Sequence, residues 1–286
     1  MIDLNWLRYR FRWAYVLLLL VVFLHTMYLV LYNNQLIILG IIAVYPGILY
    51  ISVIRKSELD DKEPRGLIAL HIAMGILIIP IAFILEISGL RLLLLGDITP
   101  NSSILFIQYI FWFIYSYFIV AICEEGLKLI AFLLLNKIHK ENDSPTDSIV
   151  YTVAISGGFA IFENYKYARS AASFSLEFGY LTAIVRTFTA IPVHIGLGMI
   201  MGYFFSKYLF FDKLGNQNKD KNYYRKLAII VPIIIHGSYD FLVNILYGNQ
   251  YYADLIIAVL FSLILNFFAW KYVIKLRKSS YIISSL

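Results

Sequence analysis

The sequence predicts an all-α, polytopic helix bundle embedded in a membrane, and three observations carry that expectation. Of 286 residues, 60% are hydrophobic and only 15% are charged, where a soluble domain carries about a quarter. The apolar residues fall in long runs that are apolar all round, not in the 3.6-residue stripes of an amphipathic helix. The basic residues gather beside those runs, on alternate connections. The mean hydropathy of +0.75 agrees. A bilayer core of about 30 Å needs roughly 20 residues of helix, and on that measure eight spans are expected: 13–32, 36–54, 67–89, 106–135, 148–168, 180–207, 227–247 and 253–273.

The first of these is read as an anchor. Arg8, Arg10 and Arg12 precede the apolar run from Trp13 to Tyr32, which is too long for the apolar part of a cleavable leader, and no small-x-small cleavage site follows it. The fourth and sixth spans exceed what a bilayer needs, which predicts tilt, kinking or extension into water. Pro192 and Pro232 mark candidate kinks in the sixth and seventh. The connections are short, and the longest, Lys207 to Lys226, holds no folded domain. A single membrane domain over 1–286 is expected, with spans one to three in 1–105, a core of spans four to seven in 106–250, and a last span with a basic tail in 251–286.

Charge fixes the expected orientation. With the N-terminus inside, one side receives 19 of the 24 lysines and arginines. The other receives Arg91, Lys166 and Arg169, while Lys128 and Arg186 lie within spans. Such bias places both termini in the cytoplasm of a cell-membrane protein. It also accounts for the net charge of +6 without nucleic acid, which is excluded as a partner; the expected partners are the lipid bilayer and a membrane-associated protein or peptide. The single cysteine, Cys123, rules out an internal disulfide and a four-cysteine metal site, and reads as a core thiol.

Ionisable groups inside a bilayer are costly and therefore candidates for function. They concentrate in spans four to seven. Span four carries Glu124, Glu125 and Lys128, with Glu124 and Lys128 on one helix face and Glu125 rotated by about 100°. Two adjacent carboxylates in a low-dielectric site do not easily both ionise, so one is suited to general-base work. Span five carries Glu163 and Asn164 after a Gly157–Gly158 pair that permits close helix contact. Span six carries His194, followed by a small-residue packing face at Gly198 and Gly202. In span seven, His236 and Asp240 stand at i, i+4, where the carboxylate can orient the imidazole. His25 and His71 are assigned to packing or an interface, and Glu86 to the outer interface. One shared buried site explains four clusters more economically than four unrelated ones.

The residues exclude several chemistries. No His-Glu-x-x-His occurs, Asp240 is the only clear intramembrane aspartate, and no serine stands in a Gly-x-Ser-x-Gly-like context. Two hydrolytic schemes remain open. Glu124 could take a proton from a water while His194 and His236 stabilise the oxyanion. Alternatively, Glu163, His194 and His236 could hold a zinc ion whose water Glu124 activates. A proton-coupled transporter is the rival from another class, because intramembrane carboxylates and histidines also relay protons; the lack of an internal repeat counts against it.

Glu-Glu-x-x-Lys at 124–128, Phe-x-x-x-Glu-Asn at 159–164, Pro-x-His ending at His194 and His-x-x-x-Asp at 236–240 together resemble the PrsW family of bacterial intramembrane proteases, whose founding type cleaves an anti-sigma factor at its first site. The resemblance covers roughly 120–245. It implies a catalytic set of Glu124, Glu125, Glu163, His194, His236 and Asp240, supported by Lys128 and Asn164. The chain is more distantly similar to the CAAX prenyl endopeptidases and related bacteriocin-immunity proteins, a likeness that leaves a catalytically silent binding protein as a further alternative. That branch has arginine where Lys128 stands, histidine for Glu163 and asparagine for Asp240.

Overall fold

In the computed structural model, residues 34–56, 63–96, 105–139, 141–214, 220–246 and 251–284 are described. The expected first span, 13–32, with His25 and the arginines before it, lies outside them, as do Lys62, Lys140 and Lys219. Among the described residues every regular element is helical. The helices are α1 (Asn34–Lys56), α2 (Arg65–Leu77), α3 (Ile79–Leu95), α4 (Leu105–Ile114), a π-helical stretch (Tyr115–Ala121), α5 (Ile122–Ile138), α6 (Asp147–Ala171), α7 (Leu176–Phe188), α8 (Ala190–Leu209), α9 (Lys221–Leu246) and α10 (Tyr251–Ser284). Among the described residues, five stretches are long and apolar enough to cross a membrane: Gln35–Lys56, Arg65–Leu95, Leu176–Leu209, Lys221–Leu246 and Asp254–Arg277. The two remaining expected spans are present as helix but are not among these five: one is divided by the π-helical stretch, and the other, α6, is rich in small polar residues.

Three expected spans are each broken, two of them beside a proline. The third bends at Ile78, with Pro80 in the first turn of α3, where its missing N–H costs nothing. The fourth changes to π-helix immediately before the paired glutamates, a pattern frequent at functional sites. The sixth breaks at Thr189 (φ −117°, ψ −82°), three residues before Pro192. Proline has no N–H to give to the carbonyl four residues back. That carbonyl, of Phe188, instead accepts from Ser262 Oγ of α10 (3.0 Å), and the carbonyl of Pro192 accepts from Asn266 Nδ2 (2.9 Å).

The core is the pair α6 and α8. Asp147–Ile161 is buried throughout, and so is Ala190–Ser206. In a bilayer, helix association depends on close packing, so small residues mark the contact. A Cβ on Gly202 would lie 2.5 Å from Ile149 Cα and 2.6 Å from Ser148 O of α6, which bears out the packing face expected there. Thr152 Oγ1 adds a bond to the Gly198 carbonyl (2.8 Å). Helix α2 approaches α6 as closely, since a Cβ on Gly158 would lie 2.2 Å from Ile72 O.

At the end of the bundle where α6 begins, a second buried polar group ties the α1–α2 connection to the core. Tyr151 OH donates to Glu63 Oε2. The Tyr151 ring stacks on His71 at 4.2 Å, and His71 Nδ1 donates to Leu67 O (2.7 Å). The Nε2 atoms of His71 and His139 are 3.4 Å apart. This bears out the packing role expected of His71.

Two outcomes follow. Gly202→Ala is expected to cost about 1–3 kcal/mol by overpacking against backbone, whereas Gly126→Ala, whose Cβ would meet nothing within 4 Å, is expected to gain about 0.5–1 kcal/mol of helix propensity. Thermal melts of the two variants in detergent read the contrast. Burial lowers the pKa of His139, at the end of α5, to about 4, so the unfolded chain binds its proton first. Its contribution to stability is complete above the ordinary histidine value of about 6.5 and is lost as pH falls from there to 4. Asp147, raised to about 6 by burial, works in the opposite sense between its ordinary value and 6. Replacing His139 by Gln is therefore expected to shrink the acid-induced drop in melting temperature.

Candidate active site

Four helices each bring one part of the site, and the irregularities above set their depth. Glu124, Glu125 and Lys128 occupy successive turns of α5 just past the π-helical stretch. His194 lies in α8 a turn beyond the break at Thr189. His236 is on α9, which rests on the π-helix at Gly237, where a Cβ would lie 2.5 Å from the Tyr117 ring. Tyr117 OH and Ser238 Oγ share a hydrogen bond of 2.8 Å at the same crossing. Glu163 comes from α6.

The centre of the cluster is an ammonium group. Lys128 Nζ donates to Glu125 Oε1 (2.7 Å), Glu124 Oε2 (3.2 Å) and His194 Nδ1 (3.0 Å). Lysine has three N–H donors and no acceptor, so all three are used. The ring of Phe159 lies 4.3 Å from Nζ. The Lys128 side chain is 1% exposed. A cation so enclosed is stable only with its carboxylates in place.

Each imidazole is turned by a carboxylate. Carboxylate oxygens accept, so His194 Nε2 donates to Glu163 Oε2 (3.0 Å) and His236 Nδ1 donates to Glu125 Oε1 (2.8 Å). Arg186 Nη2 donates to the same Glu163 oxygen (2.7 Å), and its guanidinium stacks over Tyr167 at 4.2 Å. The remaining nitrogens face inward: His194 Nδ1 is 4.0 Å and His236 Nε2 3.9 Å from Glu124 Oε2. Asp240 Oδ2 lies 3.4 Å from His236 Nε2. The two imidazoles stand edge to face, with centroids 5.2 Å apart.

The structure thus gathers Glu124, Glu125, Lys128, Glu163, His194, His236 and Asp240. Asn164 points elsewhere: its Nδ2 donates to Ala43 O of α1 (2.9 Å), because adjacent helical residues are about 100° apart and Glu163 faces α8. Arg186 was visible in the sequence as a cation inside a span but drew no role there. The usable signal was charge balance, since a lone intramembrane arginine needs a carboxylate. Glu86, expected at the outer interface, is partly exposed and lines the site cavity. That cavity, of about 1570 Å³, has Glu124, Glu163, His194, His236 and Asp240 on its wall. It reaches the end of the bundle where α6 and α9 finish, at Ala171 and Asn244, with Phe83, Phe174 and Leu255 among its apolar lining.

Among the described residues, Glu124, Glu125, His194 and His236 form a buried group whose donor atoms lie within 4.8 Å of one another and could hold a metal ion. The chemistry of the set fits zinc. Two imidazoles and a carboxylate are a usual catalytic ligand set, and ligating histidines are commonly oriented by a carboxylate on the other nitrogen, as both are here. Glu125 Oε2 is buried with no hydrogen-bond partner. Glu163 is outside this group and stands behind His194. One feature opposes an ion: two like unit charges 4 Å apart repel by about 4 kcal/mol at an effective dielectric of 20, a divalent ion doubles that, and the Lys128 ammonium is already among the donors.

Fold and site together define a helical membrane protein with a buried carboxylate–imidazole centre facing a cavity lined by both polar and apolar side chains. The profile of the PrsW family, described as intramembrane metalloproteases, matches residues 63–269. The protease PrsW of Clostridioides difficile is 30% identical over 237 residues, covering 82% of this chain and 87% of that protein. Those of Bacillus subtilis and Geobacillus kaustophilus are each 28% identical, over 72% and 70% of this chain and 83% and 76% of theirs. No solved structure matches. The chain belongs to the PrsW family of intramembrane proteases. Its substrates are therefore proteins, and its apolar helices imply a lipid bilayer around it.

Removing Arg186 alone leaves Glu163, which is partly buried, without its cation. Arg186→Met is expected to destabilise by up to about 3 kcal/mol, below the range for a fully buried pair because both side chains keep some exposure, and the double variant Arg186→Met/Glu163→Met to recover part of that. Recovery stays incomplete because His194 Nε2 then lacks its acceptor, at about 1–3 kcal/mol. Chemical denaturation of the three proteins in matched micelles reads the cycle.

Proposed function

We propose that this chain is an endopeptidase that hydrolyses peptide bonds of membrane-associated proteins at the Glu124–Glu125–His194–His236 centre. The observation that carries this is the convergence of those four groups from three helices, three of them, Glu124, His194 and His236, at the wall of one cavity large enough for an extended segment. A substrate chain lying in the cavity presents its carbonyl to the centre. Glu124 accepts a proton from the attacking water, Glu125 being its partner and substitute. The charge that grows on the carbonyl oxygen is met by His236, which Glu125 and Asp240 hold in place, and by the positive field of Lys128. Fixed donors of this kind need no reorganisation during the reaction. Glu124 then carries the proton to the leaving amine. His194, His236 and one carboxylate of the 124–125 pair are the residues that would hold a zinc ion, which when bound supplies Lewis-acid polarisation of the carbonyl and makes the water more acidic.

The wider reading is a cell-membrane protein of a bacterium with eight spans and both termini in the cytoplasm. The asymmetry of lysine and arginine supports it. In that orientation the end of the bundle reached by the cavity faces outward, away from the basic connections.

Purified wild type is expected to cleave at least one member of a panel of single-span membrane proteins. Glu124→Gln and His236→Ala should each reduce the rate by about 10²–10⁴ in preparations that still show a cooperative thermal transition. Cleavage that survives in both well-folded variants would place the reaction elsewhere. Running each reaction with and without a zinc chelator asks whether the ion is needed.

A further inference from the structure

We propose that Lys128 is a built-in competitor for the metal ion: its ammonium and a divalent cation take the same donors, one at a time. The donors that a zinc ion would draw on include His194 Nδ1 and Glu124 Oε2, and Lys128 Nζ already bonds both, at 3.0 and 3.2 Å. Its third N–H bonds Glu125 Oε1 at 2.7 Å, and Phe159 closes another side at 4.3 Å. Glu124, Glu125, Lys128, His194 and His236 are all buried, Lys128 at 1% exposure, so the ammonium is held by these donors rather than by bulk solvent.

An ion entering this set meets two obstacles. It must take lone pairs from an existing cation, because His194 Nδ1 has only one. It must also tolerate a like charge at close range in a medium that screens poorly. The ammonium therefore has to withdraw from His194 and Glu124 before the ion can sit. In return, the metal-free site is already compensated, so the chain does not depend on an ion to hold its carboxylates together. This differs from a structural zinc site, where the unliganded donors repel and the fold is lost with the metal. The site would exist in two states, ammonium-filled and ion-filled, and the side chain at position 128 would set the balance between them.

The inference rests on the reading of this cluster as the catalytic centre, yet its test reads metal binding and not cleavage, so a preparation that cuts no substrate still returns an answer. Full-length protein in detergent is stripped of metal and titrated with zinc against a chromophoric chelator, using wild type, Lys128→Gln, Lys128→Arg and the double variant Lys128→Gln/His194→Ala. Lys128→Gln is expected to bind one zinc at least ten times more tightly than wild type. Lys128→Arg, which keeps a cation in place, is expected to bind no more tightly than wild type, and the double variant is expected to lose the gain. Equal affinity of wild type and Lys128→Gln overturns the proposal, as does zinc binding that ignores His194. Should Lys128→Gln unfold without metal, zinc is expected to restore its melting transition by more than it raises that of wild type, and failure to restore it counts against the proposal.

Discussion

The organisation of this protein follows from the cost of placing charge in an apolar interior. A buried ion is tolerable only where opposite charges and hydrogen bonds surround it, and Lys128 meets that condition with three acceptors on two helices. Two of them, Glu124 and Glu125, lie on its own helix, and the third, His194, comes from α8. His194 in turn binds Glu163 of α6, which binds Arg186 of α7. His236 of α9 joins through Glu125. Each of these helices thus carries at least one member of a chain of charges that no member can leave without stranding its neighbour, and the relative depths of five helices are coupled.

The irregular backbone serves the same end. A straight α-helix through 105–138 would present its side chains at one fixed register. The π-helical stretch before Ile122 widens the turn and gives α9 a surface to lie on at Gly237, one residue from His236. The break at Thr189 starts a new helix, so His194 enters at the first turns of α8 with the core contact of Gly198 and Gly202 directly behind it. Rigid packing behind a site holds its groups in the productive arrangement, and here the most deeply buried helices, α6 and α8, carry the residues that need it. The opposite end, with Tyr151, Glu63, His71 and His139, is polar, buried and remote from the cavity, and its hydrogen bonds tie the α1–α2 connection to the same core.

Much of the site was legible because the membrane makes polar residues conspicuous. Glu124, Glu125, Lys128, Glu163, His194, His236 and Asp240 stand out against apolar neighbours, and their helical spacing gave the local pairs. Arg186 was equally visible but unplaced, since its partner lies 23 positions away on another helix. Asn164 sat beside Glu163 in the sequence and yet bonds α1, because neighbours on a helix face different ways. Glu163, expected among the metal ligands, stands behind an imidazole.

The sequence by itself determined the helical class, the runs that can cross a membrane and the identity of the polar residues, because these depend on composition and on periods of a few residues. The tertiary structure decided which nitrogen of each histidine faces inward, where the helices bend, and that one ammonium rather than open space lies among the donors. The bends have prolines beside two of them, but the histidine orientations and the place of the ammonium are matters of distance between residues 31 to 111 positions apart, and only the packing of α5, α6, α8 and α9 fixes them.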